Sequence, residues 1–169
     1  MIIWIIGLSA SGKTTIGKKL FLKLKDSGGK WVFLDGDSFR EMMGEDLGHT
    51  IDDRRKNAHR LTNLCKFLDS YGINVVTCVL SVFHDNQKYN RKAFSDYKEV
   101  YIDVKMEKLI ERDKKNLYKD ALEGKIKNVV GVDIGFKPPI APDFVIDNNE
   151  DNLNFDLIID KIVKELKRE

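Results

Sequence analysis

Cysteine is nearly absent from this chain. Cys65 and Cys78 are the only two, and they lack the close spacing of a zinc site or a redox pair. Buried free thiols, one in a helix and one in a strand, are the expectation, and they suit a reducing cytoplasm. Charge of one sign is missing as well: 29 Lys and Arg face 27 Asp and Glu, leaving +2. So even a balance gives no argument for a nucleic-acid or membrane surface, and any basic site must be local. No apolar run approaches the roughly 20 residues needed to cross a bilayer. The N-terminal run, Ile2 to Ile6, has no basic residue before it, so neither a signal peptide nor an anchor is expected. Proline is limited to Pro138, Pro139 and Pro142. Repeats, low-complexity tracts and linkers are not found. With 169 residues and 42% apolar content, the chain can bury one good core, so a single domain spanning 1 to 169 is expected, soluble and cytoplasmic.

What is present is a recurring short apolar run rich in β-branched residues, at 2–6 (IIWII), 31–34 (WVFL), 73–80, 99–104 and 144–147. Apolar character without alternation predicts strands covered on both faces, hence a parallel sheet. Helical patterns fill the gaps at 13–26, 52–71, 85–96, 105–122 and 152–168. In the last, Leu153, Leu157, Ile158, Ile162, Val163 and Leu166 form one apolar face. Alternating strand and helix predicts an α/β three-layer fold whose ligands gather at the carboxyl ends of the strands. The stretch 124–143, which holds Gly124, Gly131, Gly135 and all three prolines, is the main irregular segment and is expected to act as a mobile lid.

The first turn after a strand carries GLSASGKTT, residues 7 to 15. It matches G-x-x-x-x-G-K-[ST], and its context fits, with a buried strand before it and a helix after it that ends at Gly28-Gly29. The chemistry requires this composition. Glycines let successive N–H groups turn inward around phosphate oxygens, and the helix N-terminus adds positive charge. The candidate ATP-binding residues are therefore Gly7, Ser9, Ala10, Ser11, Gly12, Lys13, Thr14 and Thr15. Lys13 would reach the β- and γ-phosphates, and the Thr14 hydroxyl would ligate Mg²⁺.

A nucleotide switch specific for guanine would need N-K-x-D after a late strand, and none exists. The D-x-x-G string at Asp26 to Gly29 lies at the far end of the first helix, away from any γ-phosphate. The second strand ends in Asp35-Gly36-Asp37, followed by Ser38-Phe39-Arg40, on the same rim as the phosphate loop. A carboxylate there can orient an attacking hydroxyl, take its proton, or hold Mg²⁺. Asp37 could also simply cap the next helix.

At these residues the chain resembles the adenylyl-sulfate kinases. The matching blocks run in order: GLSASGKTT, LDGDSFR (34–40), DLG (46–48), DRRKNAHR (53–60), the Ser81 region, ERDKKNLYKDALEGKIK (111–127) and GVDIGFKPPIAPDFVID (131–147). The resemblance implies a P-loop kinase fold, ATP and Mg²⁺ as cofactors, and transfer of the γ-phosphate to the ribose 3′-hydroxyl of adenylyl sulfate. The implied partner is a small-molecule nucleotide acceptor, with no nucleic acid and no membrane; a homodimer is left open. By matching position, Lys13, Asp35 and Asp37 are the catalytic candidates, with Thr14 and Asp37 at the metal. Arg40, Arg54 and Asn57 would grip the acceptor's phosphate-linked group and ribose. Leu80 and Ser81 would line its base, Arg112 would lie against the ATP adenine, and Lys119 would belong to the lid. Arg55 and Lys56 are expected on an ordinary solvated helix face.

The departures cluster. The family clamps the acceptor adenine between two phenylalanines, and His49 and Val129 stand at those positions here. The loop after Ser81 reads Val82-Phe83-His84 where the family has Pro, an aromatic and a basic residue. Two readings follow. Either this is a divergent adenylyl-sulfate kinase, or the acceptor is another nucleotide, as in a related branch that acts on cytidine diphosphoramidate for capsule sugar modification. From a different class comes a third, a nucleotide-binding regulator without turnover.

Overall fold

The computed structural model describes residues 1–44 and 46–168. Five strands form one parallel sheet: β1 (Ile2–Ile6), β2 (Trp31–Asp35), β3 (Asn74–Val79), β4 (Tyr97–Asp103) and β5 (Phe144–Asp147), in the order β2-β3-β1-β4-β5. Every residue of β1 is buried, because β1 has a strand on either side and helices over both faces. Its alternate side chains enter two cores. Ile3 and Ile5 pack with Val76, Val100 and Ile102 under helix α1 (Lys13–Asp26) and the last helix. Ile2, Trp4 and Ile6 pack with Val75, Tyr97, Leu61 and Cys65 on the opposite face. This is the three-layer α/β architecture expected from the continuous apolar runs.

Seven helices occur among the described residues: α1, α2 (Gly36–Met42), α3 (Ile51–Ser70), α4 (His84–Ala93), α5 (Met106–Glu111), α6 (Leu117–Leu122) and α7 (Phe155–Leu166). The expected helix over 105–122 is two. The chain breaks at Arg112 to Asn116, where Asn116 takes a left-handed φ of 54° and the Asp113 carboxylate accepts from the Tyr118 N–H at 2.6 Å. α7 begins at Phe155, three residues later than the apolar period suggests, since the Asn154 side chain caps it by accepting from the Leu157 N–H. None of the helices is long and apolar enough to cross a membrane.

Both cysteines are free and buried, Cys65 on α3 and Cys78 on β3, and burial pushes each thiol up to about 12. Cys78 also fixes how closely α1 approaches the sheet. Its thiol donates to the Lys13 carbonyl at 3.2 Å, and a Cβ on Gly17 would fall 2.3 Å from its sulfur and 3.1 Å from the Phe33 ring. Helix α1 can lie this close only because position 17 has no side chain. Gly17→Ala is therefore expected to destabilise by about 1–3 kcal/mol despite its better helix propensity, read by urea unfolding. Adding Cys78→Ala should recover part of the loss; a stabilised single variant would show that the helix can withdraw freely.

Candidate active site

The carboxyl ends of β1, β2 and β3 open into one cavity of about 1120 Å³. The loop from Gly7 to Gly12 forms its floor. Ala10 (φ 61°) and Gly12 (φ 90°) are left-handed, which turns backbone N–H groups toward a common centre, an anion nest at the start of α1. Gly7 is held by contact: a Cβ there would sit 2.6 Å from Ser11 Oγ and 3.1 Å from the Ile102 carbonyl. Gly7 and Ser11 support the loop from below and do not line the cavity, unlike Ser9, Ala10, Gly12, Lys13, Thr14 and Thr15. The Ser11 N–H is spent on the Leu8 carbonyl, and its hydroxyl is buried without a partner. Two braces that the motif does not predict hold the loop's carbonyls: Tyr118 Oη donates to Ser9 O at 2.9 Å, and Asn148 Nδ2 to Ser11 O at 2.9 Å. Asn148 directly follows β5 on the rim, a placement the strand pattern alone could have flagged.

Lys13 Nζ donates to the Leu8 carbonyl at 2.6 Å. Burial pulls its ammonium below the ordinary value, and the nearby Asp37 and Asp35 carboxylates oppose that shift. The Thr14 hydroxyl donates to Asp35 Oδ2 at 2.7 Å, while Asp35 Oδ1 accepts from the Asp37 N–H at 3.1 Å. The cap of α2 is thus Asp35, not Asp37 as considered from the sequence. Asp37 sits in the first turn and lines the cavity, within electrostatic reach of Lys13, His49 and Arg54. No cluster of three or more His, Cys, Asp or Glu suited to a metal exists among the described residues. A hydroxyl and two carboxylates suit Mg²⁺, which takes only one or two protein carboxylates and completes its shell with phosphates and water.

At the other end of the cavity, Arg40 donates to the carbonyls of Leu47 and Gly48 at 3.0 and 2.7 Å. Arg54 Nε donates to His49 O at 2.9 Å and its Nη2 to Asn128 O at 2.8 Å. Burial, then Arg40, lowers the Arg54 guanidinium from its usual value. Asn57 Oδ1 is buried with no partner. His49, Leu80, Ser81 and Val129 line this end, and burial followed by Arg40 and Arg54 lowers the His49 imidazole, favouring its neutral form. Arg112 reaches the cavity from the end of α5, fixed by the Asn148 carbonyl at 2.7 Å and by Asp151.

Two sequence expectations are corrected. Lys119 is exposed on α6, before the 124–143 segment, and does not line the cavity, whereas Lys114 and Lys115 at the helix break do. Arg55 is not an ordinary solvated residue: its guanidinium lies 4.2 Å from the Phe83 ring centroid and donates to Asp85 at 2.6 Å. Phe83, so held, forms an aromatic part of the wall, and buried Asn86 beside it lines the cavity as well. Only packing between α3 and α4 reveals either residue.

A sequence profile of the adenylylsulphate kinase family matches residues 1–147. A cytidine diphosphoramidate kinase of Campylobacter jejuni is 44% identical over 168 residues, covering 98% of this chain and 95% of that one. An adenylyl-sulfate kinase of Clostridium kluyveri is 37% identical over 154 residues, 90% of this chain and 77% of the other. Among solved structures, the Mycobacterium tuberculosis APS kinase in complex with AMPPNP and APS superposes with a TM-score of 0.88 at 28% identity, over 99% of this chain and 97% of its own.

The segment 124–143 is secured at several points. Asp133 accepts from the N–H groups of Asn128 and Val129, each at 2.6 Å, and these bonds hold its carboxyl below the usual range. A lowered carboxyl contributes stability above its ordinary value and loses it as pH falls through the lowered one, so the turn should loosen only in acid. At neutral pH, Asp133→Ala is expected to speed tryptic cleavage after Lys125 and Lys127 several-fold with little change in melting temperature. Unchanged cleavage would mean that the turn holds without the carboxylate.

Proposed function

The chain belongs to the adenylylsulphate kinase family, and from that premise we propose that it transfers the γ-phosphate of ATP to the ribose 3′-hydroxyl of cytidine diphosphoramidate. The observation that carries the reading is a single cavity with Lys13, Thr14 and Asp37 at one end, Arg40 and Arg54 at the other, and His49 and Val129 where adenylyl-sulfate kinases stack an adenine. Stacking on an aromatic is worth about 1–3 kcal/mol per base, and a pyrimidine asks for less of that surface. The relative from Campylobacter jejuni, at 44% identity, supports the same choice of acceptor.

In this mechanism the acceptor's anionic linkage lies against Arg40 and Arg54, which presents its 3′-hydroxyl to Asp37. The carboxylate takes the hydroxyl proton as the acceptor oxygen bonds the γ-phosphorus and the bond to the β-phosphate oxygen breaks, releasing ADP. Lys13 and the loop N–H groups neutralise charge on the transferred group. Thr14, Asp35 and Asp37 would hold Mg²⁺, directly or through water, and the ion supplies charge neutralisation at the phosphates. Arg112 would lie against the donor adenine, and the 124–143 segment would cover the acceptor as a lid. Residues at the rim serve the transfer more than the fold, a role unlike that of a regulator without turnover.

The test is kcat/KM for cytidine diphosphoramidate and for adenylyl sulfate, read by ADP formation, with Lys13→Ala and Asp37→Asn beside the unmodified chain. Both variants should lose at least about a hundredfold in turnover at nearly unchanged melting temperature. The cytidine compound should be the better acceptor, and His49→Phe with Val129→Phe should shift preference toward adenylyl sulfate. A clear preference of the unmodified chain for adenylyl sulfate would restore the family's usual acceptor, and full activity without Lys13 or Asp37 would remove their assigned roles.

A further inference from the structure

A chain of buried polar groups runs from the acceptor end of the cavity to the start of β4. Asn86 Nδ2 donates to Thr62 Oγ1 at 3.3 Å, and Thr62 Oγ1 donates to Asn90 Oδ1 at 3.0 Å. Asn90 lies beside the Tyr97 hydroxyl, and its buried Nδ2 makes no hydrogen bond among the described residues. Tyr97 Oη in turn donates to Glu99 Oε1 at 3.0 Å, and Glu99 Oε2 pairs with Arg91 at 3.1 Å. Asn86, Thr62, Asn90, Tyr97 and Glu99 are all more than nine-tenths buried.

The far end of this chain sets its direction. A carboxylate paired with an arginine only accepts, so Tyr97 must donate to it. Burial, and then the Glu99 charge, raises the Tyr97 phenol well above its ordinary value, which keeps its proton in place. With its proton committed to Glu99, the Tyr97 oxygen can only accept, so it suits the Nδ2 side of Asn90 although no hydrogen bond closes between them, and Asn90 Oδ1 accepts from Thr62. The single Thr62 proton is thereby used, and Thr62 can only accept from Asn86. Asn86 is left with its Nδ2 committed and its Oδ1 without a hydrogen-bond partner among the described residues, in a side chain that lines the cavity together with Ser81 and Phe83. Reversing the Asn86 amide would set two acceptors against each other at Thr62.

We propose that Asn86 Oδ1 is a fixed hydrogen-bond acceptor that selects an acceptor nucleotide whose base carries an exocyclic amino group and disfavours the corresponding keto base. The inference rests on the reading above that the acceptor base occupies this end of the cavity. An amino group of cytosine donates to this oxygen, whereas the keto oxygen of uracil meets it acceptor to acceptor. Because the amide cannot turn to accommodate uracil, the penalty is specific to the base edge and not to the ribose or its phosphates. Thr62 is the positioning residue that keeps the amide from turning.

The experiment compares kcat/KM for cytidine and uridine diphosphoramidate in the unmodified chain, Asn86→Ala, Thr62→Val and Thr62→Ser. The unmodified chain should prefer the cytidine compound by about ten- to a hundredfold. Asn86→Ala and Thr62→Val should bring the ratio toward one, chiefly through the cytidine compound, while Thr62→Ser keeps the hydroxyl and the ratio. If Asn86→Ala fails to fold, the two Thr62 variants carry the same reading. An unmodified chain indifferent to amino and keto bases, an unchanged ratio in Asn86→Ala, or an equal loss on both acceptors would overturn the proposal. Should adenylyl sulfate prove the preferred acceptor, the same comparison is made against its hypoxanthine analogue. Discrimination there that Asn86→Ala abolishes sustains the amino-selecting role while rejecting the cytidine reading, and its absence rejects both.

Discussion

Burial of β1 on every side is the constraint from which the rest of the architecture follows. A strand with neighbours at both edges and helices over both faces has no direction in which a polar side chain could be tolerated, which is why its sequence is IIWII. Parallel neighbours require crossovers, so each strand's carboxyl end falls on one rim, and the central strand delivers its loop to the middle of that rim. The anion nest is therefore placed by packing. Its shape is then fixed by contacts at very short range: no Cβ at Gly7, none at Gly17 where Cys78 fills the space, and carbonyls braced by Tyr118 and Asn148.

Three cations of the cavity, Lys13, Arg40 and Arg54, share a second design. Lys13 rests on the Leu8 carbonyl, Arg40 on those of Leu47 and Gly48, and Arg54 on those of His49 and Asn128, whereas Arg112 adds an ion pair with Asp151 to its bond with the Asn148 carbonyl. A carbonyl fixes a guanidinium plane without cancelling its charge, as a carboxylate would. Such groups lose little conformational freedom when an anion arrives, and the remaining N–H groups are already aimed. Arg54 adds a connection of its own, since its two carbonyls belong to the start of α3 and to the 124–143 segment. The stacking positions 49 and 129 adjoin those carbonyls.

How far the sequence could be read depended on the range of the forces involved. Strand positions were legible because burial on two faces demands apolar residues at every step, and the phosphate loop because steric limits on its backbone leave few residue choices. The break between α5 and α6 was not: Asp113 to Asn116 are compatible with a helix, and what ends it is the Asp113 carboxylate taking the Tyr118 N–H. Asp37 was recognised as facing the rim, but the cap went to Asp35, whose two oxygens serve Thr14 and the Asp37 N–H together. Arg55 shares its helix with the solvated Lys56, and only the distant Phe83 and Asp85 distinguish it. Asn86 is the extreme case, because its proposed orientation depends on Asn90 one turn further along its own helix, on Thr62 of α3, and on Tyr97 and Glu99 of β4.

The anchor of that polar chain also reaches the 124–143 segment. Arg91, which neutralises buried Glu99, donates to the Asp143 carboxylate at 3.0 Å and to the Ala141 carbonyl at 3.1 Å, and Asp143 accepts from the Glu99 N–H at 2.7 Å. One arginine therefore joins the group that polarises the amide chain to the carboxyl end of the 124–143 segment. An isolated buried carboxylate would cost several kcal/mol, and Arg91 makes Glu99 tolerable only from the position that Asp143 and Ala141 help to fix. The wall proposed to meet the acceptor base and the segment proposed to cover it thus depend on one shared ion pair. If Asn86 reads the base and the segment closes over the acceptor as proposed, both rest on Arg91 without any direct contact between Asn86 and the segment.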